Sequence, residues 1–362
     1  MSDEVVDLVL TNNRRQARAL ALGETAARRD AFGMVDLIHT LEADQGLDRA
    51  LEGLPDDRDM LPRGLTRPEL AVVMAYAKMD LKARLLETPF DTDPWYDAAM
   101  RGAFPAGLLE AHPEALEGQR LRREITATQW TNDVIHRLGI GFCCDVLEAT
   151  NAYIEAVARA IGVVDGLFGL FDQFDVLESS SDQSAEGVAD RDRATLALRR
   201  EARRACTWLL RGGFLSERIE STIQRLRPAL SGGGFDALPT VLAALELGTD
   251  PADALDRAVD LAATLRIADI GGALECALIN SPWARLEARQ LADDVTRMIA
   301  TAAANPEVAE RLAGPDLAAW LATVQELATD ALPTGDGHEA VEQGTNLVRL
   351  RVIVRRLQDL AH

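Results

Sequence analysis

The segment IEAVARAIGVVDGLFGLF, residues 154–171, decides the fold class because its apolar side chains recur at steps of three and four. Such spacing places them along one face of an α-helix, whereas a half-buried strand would alternate apolar and polar residues. The segment therefore predicts a helix with one continuous apolar stripe. The members of this stripe are Ile154, Val157, Ala158, Ile161, Val164, Phe168 and Phe171.

The helical pattern continues through most of the chain. Ala, Leu and Arg, which are good helix formers, dominate the composition. No run of alternating β-branched residues is long enough to predict a strand, and residues 139–142 form either a short extended piece or a loop. The sequence therefore predicts an all-α fold, a multi-helix assembly of two packed helical subdomains. The last segment repeats the apolar stripe at Leu350, Ile353, Val354, Leu357 and Leu360.

Helix starts are marked by short hydrogen-bond acceptors in front of prolines. Thr66 and Glu69 have capping-box spacing, and Pro68 stands in the first turn, where its missing N–H costs nothing. We expect the helix that follows to turn Leu70, Val73, Met74, Ala77 and Leu81 inward. The pattern of an acceptor before a proline recurs at Asp93-Pro94, Asp250-Pro251, Ser281-Pro282 and Asn305-Pro306.

Breaks in the helical pattern suggest a division of the chain. Residues 179–193 (SSSDQSAEGVADRDR) are polar and almost free of large apolar side chains. We therefore expect a linker at 179–193 between a first helical subdomain, 1–178, and a second one, 194–362. Further breaks are expected at 231–234 (SGGG) and at 333–337.

The charge balance excludes several classes of partner. The chain has 38 Lys and Arg against 58 Asp and Glu, a net charge of −20. Such an acidic surface disfavours nucleic acid and anionic membranes, both of which bind basic proteins. The opening residues, MSDEVVDLVL, do not resemble a signal peptide, and no run of 18 apolar residues exists. We therefore expect a cytoplasmic protein with neither nucleic-acid nor membrane partners.

Patterns that carry catalytic or cofactor chemistry are weak. No two histidines have the i, i+4 spacing of a helical metal site, so we expect each to be a surface or capping residue. Gly232, Gly233 and Gly234 follow a helix-like stretch, whereas a dinucleotide loop follows a strand. The sequence therefore predicts no catalytic, cofactor-binding or metal-binding residue. The histidines are His39, His112, His136, His338 and His362.

Two further clusters have a structural and a functional interpretation. Cys143 and Cys144 are expected to be buried beside Phe142 and Val146, and the alternative is a redox-sensitive pair. Residues 199–204 (RREARR) are expected to form a solvated helix face, and the alternative is a contact patch for an acidic neighbouring domain.

Two longer stretches are more specific. These are GLTRPELAVVMAYAK at 64–78 and LRREITATQWTNDVI at 121–135. Both resemble segments near the C-terminus of the large bacterial NAD-specific glutamate dehydrogenases, as do LVLTNN at 8–13 and TWLLR at 207–211. One departure is Asn151, which stands where that family usually has Gly.

The resemblance implies a function for a longer parent protein. Such an enzyme would oxidise L-glutamate to 2-oxoglutarate and ammonia with NAD, through residues of an upstream catalytic domain that have no match here. This chain would then be a non-catalytic helical C-terminal module with a structural, oligomerisation or regulatory role. Its partners would be the catalytic domain and sister subunits. The alternatives are a free-standing helical interaction or scaffold protein derived from the family, and an unrelated helical enzyme with a scattered site.

The polar residues of the two motifs are candidates for contacts with the catalytic domain or with a sister subunit. Their structural interpretation is that they satisfy helix ends and hydrogen bonds between helices. These candidate contact residues are Arg67, Glu69, Arg122, Arg123, Glu124 and Asn132.

Overall fold

A computed structural model of the chain describes residues 2–312, except 30, 117, 181, 183, 217, 268–269 and 271–281, together with 314, 322, 351–352 and 354–355. Over these residues the chain is helical and contains no strand, so the all-α prediction is confirmed. None of the helices described is both long and apolar enough to cross a bilayer.

The chain divides into two compact units, residues 1–224 and 225–362. The first unit contains twelve α-helices, three 3₁₀ helices and the start of a thirteenth α-helix among its described residues. They are α1 (Ser2–Arg29), α2 (Ala31–Gln45), α3 (Arg49–Glu52), α4 (Asp57–Arg63), α5 (Arg67–Leu86), η1 (Phe90–Thr92), η2 (Pro94–Tyr96), α6 (Asp97–Gly102), α7 (Ala106–Ala111), η3 (Pro113–Leu116), α8 (Arg122–Leu138), α9 (Phe142–Thr150), α10 (Ile154–Phe168), α11 (Leu170–Glu178), α12 (Ala185–Arg211) and α13 (Ile219–Leu230).

The expected linker at 179–193 differs from what the structure shows. Ser184 caps α12 by accepting the backbone N–H of Gly187 at 3.0 Å, and the helix runs from Ala185 through the rest of the stretch. Polar residues without a proline are compatible with a solvent-facing helix surface, so polarity alone does not end a helix. The division into units falls after Gln224 instead.

Helix α5 lies at the centre of the first unit, where it packs against α1, α2 and α8. The five residues predicted to point inward are all buried, which confirms the expected face of this helix: Leu70, Val73, Met74, Ala77 and Leu81.

The apolar stripe at 154–171 is divided between two helices. Ile154, Val157 and Ile161 are buried along α10, which packs against α12. The helix ends at Gly169, whose φ of 63° lies in the left-handed region that glycine adopts without strain. Phe171 therefore belongs to α11, and the predicted single helix is two.

The predicted helix starts that lie in the described residues are confirmed. Glu69 accepts the backbone N–H of Thr66 at 2.7 Å, and Asp93 accepts that of Trp95 at 3.0 Å. Asp250 accepts the backbone N–H of Ala252 at 2.8 Å, and Asn305 does the same for Glu307 at 3.1 Å. Ser281 and residues 333–337 lie outside the described residues.

Asn151 explains one departure from the family pattern. It follows α9 with φ 52° and ψ 28°, the left-handed conformation. Gly is the commonest residue at such a helix end and Asn is the next choice, because its short polar side chain tolerates this conformation. The Gly-to-Asn difference therefore preserves the backbone turn.

The described helices of the second unit bury small side chains beside larger ones such as Leu238 and Val241. Ala244, Ala254 and Ala304 are fully buried together. Arg257 donates from Nε to the carbonyl of Ala303 at 2.7 Å, which satisfies an end carbonyl of the long helix. The stripe at 350–360 lies largely outside the described residues, and Val354, which is described, is buried. The bounds are η4 (Phe235–Ala237), α14 (Leu238–Leu247), α15 (Pro251–Thr264), α16 (Pro282–Ala304) and α17 (Pro306–Leu312).

Candidate functional site

Charged side chains from four helices meet beside the last turns of α8 in the first unit. We call this set the α8 cluster. Its members come from α1, α5, α8 and α11 and form an ion-pair network with a hydrogen-bonded pair beside it. The network contains Arg15, Asp133, Arg137, Asp175 and Glu178, and the pair is Lys78 and His136.

Arg137 is the most deeply placed charge of the α8 cluster, with 6% of the residue exposed. Its Nη2 atom lies 2.8 Å from Asp175 Oδ1, and its Nη1 atom pairs with Asp133 one turn earlier on α8. The guanidinium carbon is 5.1 Å from the ring centre of Phe171. Burial acts to lower the pKa of Arg137, but the two carboxylates outweigh it and the pKa is raised. Arg137 is therefore a fixed positive charge.

Arg15 extends the network to α1. Its Nη2 atom lies 2.7 Å from Asp175 and its Nε atom 2.9 Å from Glu178. Two arginines from different helices thus share the Asp175 carboxylate. These ion pairs connect α1, α8 and α11. Removing one of the charged side chains would leave the opposite charges without compensation.

His136 and Lys78 form the part of the α8 cluster without a carboxylate. His136 is 6% exposed, and its Nε2 atom lies 2.8 Å from Lys78 Nζ. Burial lowers the pKa of His136 to about 3, and the positive charges of Lys78, Arg15 and Arg137 add to this effect. The imidazole is therefore neutral at pH 7, and its Nε2 accepts a hydrogen bond from the lysine.

The expectation that every histidine lies at the surface or caps a helix is wrong for His136. A single histidine without a partner at i+4 gives no spacing signal, so sequence reasoning had no basis for singling it out. The one available signal was its place among buried residues, because Val134, Ile135 and Leu138 are apolar and flank it on α8.

Arg199 closes the end of α8 from α12. Its Nε atom donates to the carbonyl of Arg137 at 2.6 Å and its Nη2 atom to that of His136 at 3.2 Å. Burial, followed by repulsion from Arg18, lowers the pKa of Arg199 to about 10. The first arginine of the run at 199–204 therefore binds the end of a neighbouring helix. Neither interpretation of the sequence predicted this contact.

The candidate contact residues on α5 have partners within the chain. Arg67 is exposed and pairs with Glu24 at 3.0 Å. Glu69 pairs with Arg63 at 2.8 Å and accepts the backbone N–H of Thr66. The hydrogen bond from Arg63 holds the pKa of Glu69 down to about 2.

The candidate contact residues on α8 fall into two groups. Arg122 pairs with Asp97, and Arg123 donates to the carbonyl of Leu86 at 2.6 Å. Glu124 is exposed, and Asn132 is half-buried farther along the helix. The six candidates therefore lie in the first turn of α5, in the first turn of α8 and in the middle of α8. They do not form a single cluster. Their contacts with another domain remain a prediction.

Glu124 borders an open groove on the surface of the first unit. Leu121, which is 57% exposed, and the half-buried Ile125 contribute apolar surface to it. Lys82 contributes a positive charge from α5. The groove therefore combines apolar surface with charges of both signs, as contact surfaces between domains do. Its lining is completed by Ala103, Thr128 and Gln129.

The thiols of the three cysteines that the structure describes are not activated for reaction. Cys143 and Cys206 are buried and Cys144 is half-buried, and all three are free. Burial raises the pKa of Cys144 to about 12, with a contribution from Asp145, and also raises the pKa values of Cys143 and Cys206. A reactive cysteine needs the opposite shift, so the burial interpretation is the one supported. The described residues include no group of three side chains able to hold a metal ion.

Comparison with known proteins places the motifs in a family. Residues 62–232 match the family described as glutamate dehydrogenase, C-terminal. The chain is 38% identical over 218 residues to an NAD-specific glutamate dehydrogenase of Pseudomonas aeruginosa and 35% over 216 residues to one of Halomonas elongata. It is 30% identical over 219 residues to one of Mycobacterium tuberculosis.

These matches are partial on both sides. Each covers 58% of this chain but only 13% of the relative, so the chain spans a small fraction of the length of the proteins it resembles. Both motifs, at 64–78 and 121–135, lie inside the matched segment. Residues 62–232 of this chain are therefore similar to the glutamate dehydrogenase C-terminal family, the resemblance that the two motifs indicated.

Proposed function

We propose that the chain is a non-catalytic helical C-terminal module of a large NAD-dependent glutamate dehydrogenase. The whole polypeptide would oxidise L-glutamate to 2-oxoglutarate and ammonia in the cytoplasm, with NAD as the hydride acceptor. The observation that carries this proposal is the match of residues 62–232 to the C-terminal family, together with the three NAD-specific glutamate dehydrogenases to which the chain is similar.

The local architecture supports a non-catalytic role. Dinucleotide sites of the common type need a strand, a glycine-rich turn and a helix whose first amides bind the pyrophosphate. The residues that the structure describes supply helices and their connections alone. The most specific polar residues of the family motifs hold helix ends, as Glu69 and Arg123 do.

The surface supports a role in contact with other parts of the enzyme. Glu124 and Leu121 are exposed beside Lys82 in the groove between α5 and α8. Such a surface would contact the catalytic domain of the same polypeptide or a second copy in a homo-oligomer. The paired charges of the α8 cluster would keep the supporting helices in fixed positions.

Titration of the purified chain tests the proposal. Calorimetry with NAD, and then with L-glutamate, is expected to give no binding heat, and the chain is expected not to reduce NAD. The Pseudomonas aeruginosa enzyme serves as the positive control under the same conditions. Saturable NAD binding with a Kd in the range of roughly 1 µM to 1 mM that metabolic enzymes use for their substrates would overturn the non-catalytic assignment.

A further inference from the structure

The chain has only two lysines, and they differ in surroundings. Lys78 and Lys82 stand one turn apart on α5, and both are partly exposed. Lys78 belongs to the α8 cluster and contacts His136, whereas Lys82 borders the open groove beside Glu124. The reactivity of one lysine amine can therefore be compared with that of the other on the same helix.

Lys78 has a neutral partner where a buried lysine usually has a carboxylate. Its Nζ atom lies 2.8 Å from His136 Nε2. Among the described residues no carboxylate oxygen lies within the 4.0 Å that defines an ion pair with this lysine. A half-buried ammonium without a nearby anion is disfavoured, because partial desolvation destabilises its charged form.

Positive charges around this contact add to burial in keeping His136 neutral. They come from Lys78 itself, from Arg15 on α1 and from Arg137 on α8. The nearby carboxylates of Asp133, Asp175 and Glu178 are already paired with these arginines.

We propose that Lys78 is a site of covalent acylation, at which its amine takes an acyl group from an activated donor such as an acyl phosphate or a thioester. The half-buried position favours a small acyl group such as acetyl. Burial lowers the pKa of Lys78, which increases the fraction of neutral amine, the form that reacts.

The step balances with an acyl phosphate as donor. The nitrogen lone pair of Lys78 attacks the carbonyl carbon and forms a C–N bond. The C–O bond to phosphate breaks, phosphate leaves with the electron pair, and one amine proton passes to phosphate or water. The amide that results has lost the positive charge but keeps an N–H directed at His136 Nε2.

Competitive labelling of the two lysines tests the proposal on the intact chain. The protein is treated with a limiting amount of acetyl phosphate, and in parallel with N-hydroxysuccinimidyl acetate, between about pH 6 and pH 9. Cleavage after Glu69 and Glu87 gives a peptide with both lysines, and fragment ions report each separately.

We expect Lys78 to be acetylated about threefold or more faster than Lys82 near pH 7, with the advantage shrinking as the pH rises. Each unit by which burial lowers the pKa of Lys78 gives about tenfold more neutral amine, and reduced access to the half-buried side chain offsets part of this gain. Equal or slower labelling of Lys78 over the whole pH range would overturn the proposal.

Two variants of one position separate charge from packing. His136→Glu would place a carboxylate beside Nζ and hold the ammonium, so the labelling advantage of Lys78 should disappear. His136→Gln keeps a neutral acceptor and should retain it. If both folded variants lost the labelling advantage of Lys78 equally, the charge-based account would be contradicted. If a variant fails to fold, the comparison of Lys78 with Lys82 in the wild type still tests the proposal. Neither result bears on the proposed function.

Discussion

Asp93 joins two segments that lie 126 residues apart, because its Oδ2 atom accepts the backbone N–H of Ile219 at 2.8 Å. Its other oxygen, Oδ1, accepts the backbone N–H of Trp95 at 3.0 Å. One carboxylate, only 9% exposed as a residue, therefore caps the start of η2 and the start of α13 together. These two hydrogen bonds connect the end of the first unit to its middle.

Replacing Asp93 by Ala is expected to lower the free energy of unfolding by about 2–4 kcal/mol. Loss of a helix cap costs about 1 kcal/mol, and leaving the buried Ile219 amide unsatisfied adds about 1–3 kcal/mol. Urea unfolding measures the change. The matched control is Asp56→Ala, which removes an exposed cap of α4 and should cost about 1 kcal/mol. Equal losses in the two variants would show that the long-range bond contributes nothing.

Removing a buried charge from the α8 cluster is expected to lower the free energy of unfolding more than removing an exposed charge elsewhere. Arg137→Ala should lower the free energy of unfolding by about 1–3 kcal/mol, because it removes the closest partner of Asp133 and leaves Asp175 with Arg15 alone. The control Arg193→Ala removes an arginine whose side chain is 78% exposed and should change stability by less than about 0.5 kcal/mol.

The double variant Arg137→Ala/Asp133→Ala tests whether these two groups act as a pair. Its loss should be smaller than the sum of the two single losses, because each single variant leaves the other charge uncompensated. Strict additivity would mean that Arg137 and Asp133 do not stabilise the fold as a pair.

Glu69 predicts a pH dependence of stability. The hydrogen bond from Arg63 lowers its folded pKa to about 2 from the ordinary value of 4.5, against the opposing effect of burial. A lowered pKa means that the contribution is complete above pH 4.5 and is lost as the pH falls towards 2. The partly exposed site limits its size to about 1 kcal/mol.

Glu69→Gln isolates this contribution because an amide oxygen can still accept the Thr66 amide. The difference in free energy of unfolding between the wild type and this variant should therefore be largest near neutral pH. It should shrink between about pH 4.5 and pH 2. Denaturant unfolding at several pH values gives the comparison. A difference that stays constant over this range would contradict the assigned pKa.

Glu124 tests the proposed contact surface. Glu124→Lys should leave the stability of the chain within about 0.5 kcal/mol, since the residue is exposed. In the full-length polypeptide the same change should weaken oligomer assembly or lower dehydrogenase activity, because it adds a second cation beside Lys82 in the groove. Sedimentation and activity assays report the two effects.

The control for this surface is Glu246→Lys, an exposed position in α14 outside the matched family segment. It should change neither assembly nor activity. If both substitutions leave the full-length enzyme unaltered, the groove is not a contact surface.

Local spacing was sufficient to predict the helices and several of their starts. The inward face of α5, the Thr66–Glu69 cap and the Asp93 cap each depend on residues within one or two turns, so they are visible in the sequence. The end of α10 at Gly169 was missed because the apolar spacing continues across the break.

The candidate site could not be predicted in the same way. Arg15 and Glu178 are 163 residues apart, and no periodicity links them. Their pairing depends on how α1 and α11 pack, which is a property of the whole unit. Lys78 and His136 likewise stand on separate helices, and neither has an informative neighbour in the sequence. Family resemblance identified the segment but assigned no role to these residues.

The most direct test of the central claim is the size of the native polypeptide. An antibody raised against this chain would be used on a denatured extract of the source cells. Our account predicts a band several times larger than the 39.3 kDa of these 362 residues, as expected for one part of a large dehydrogenase. A band at 39.3 kDa would contradict it and would identify a helical protein that acts on its own.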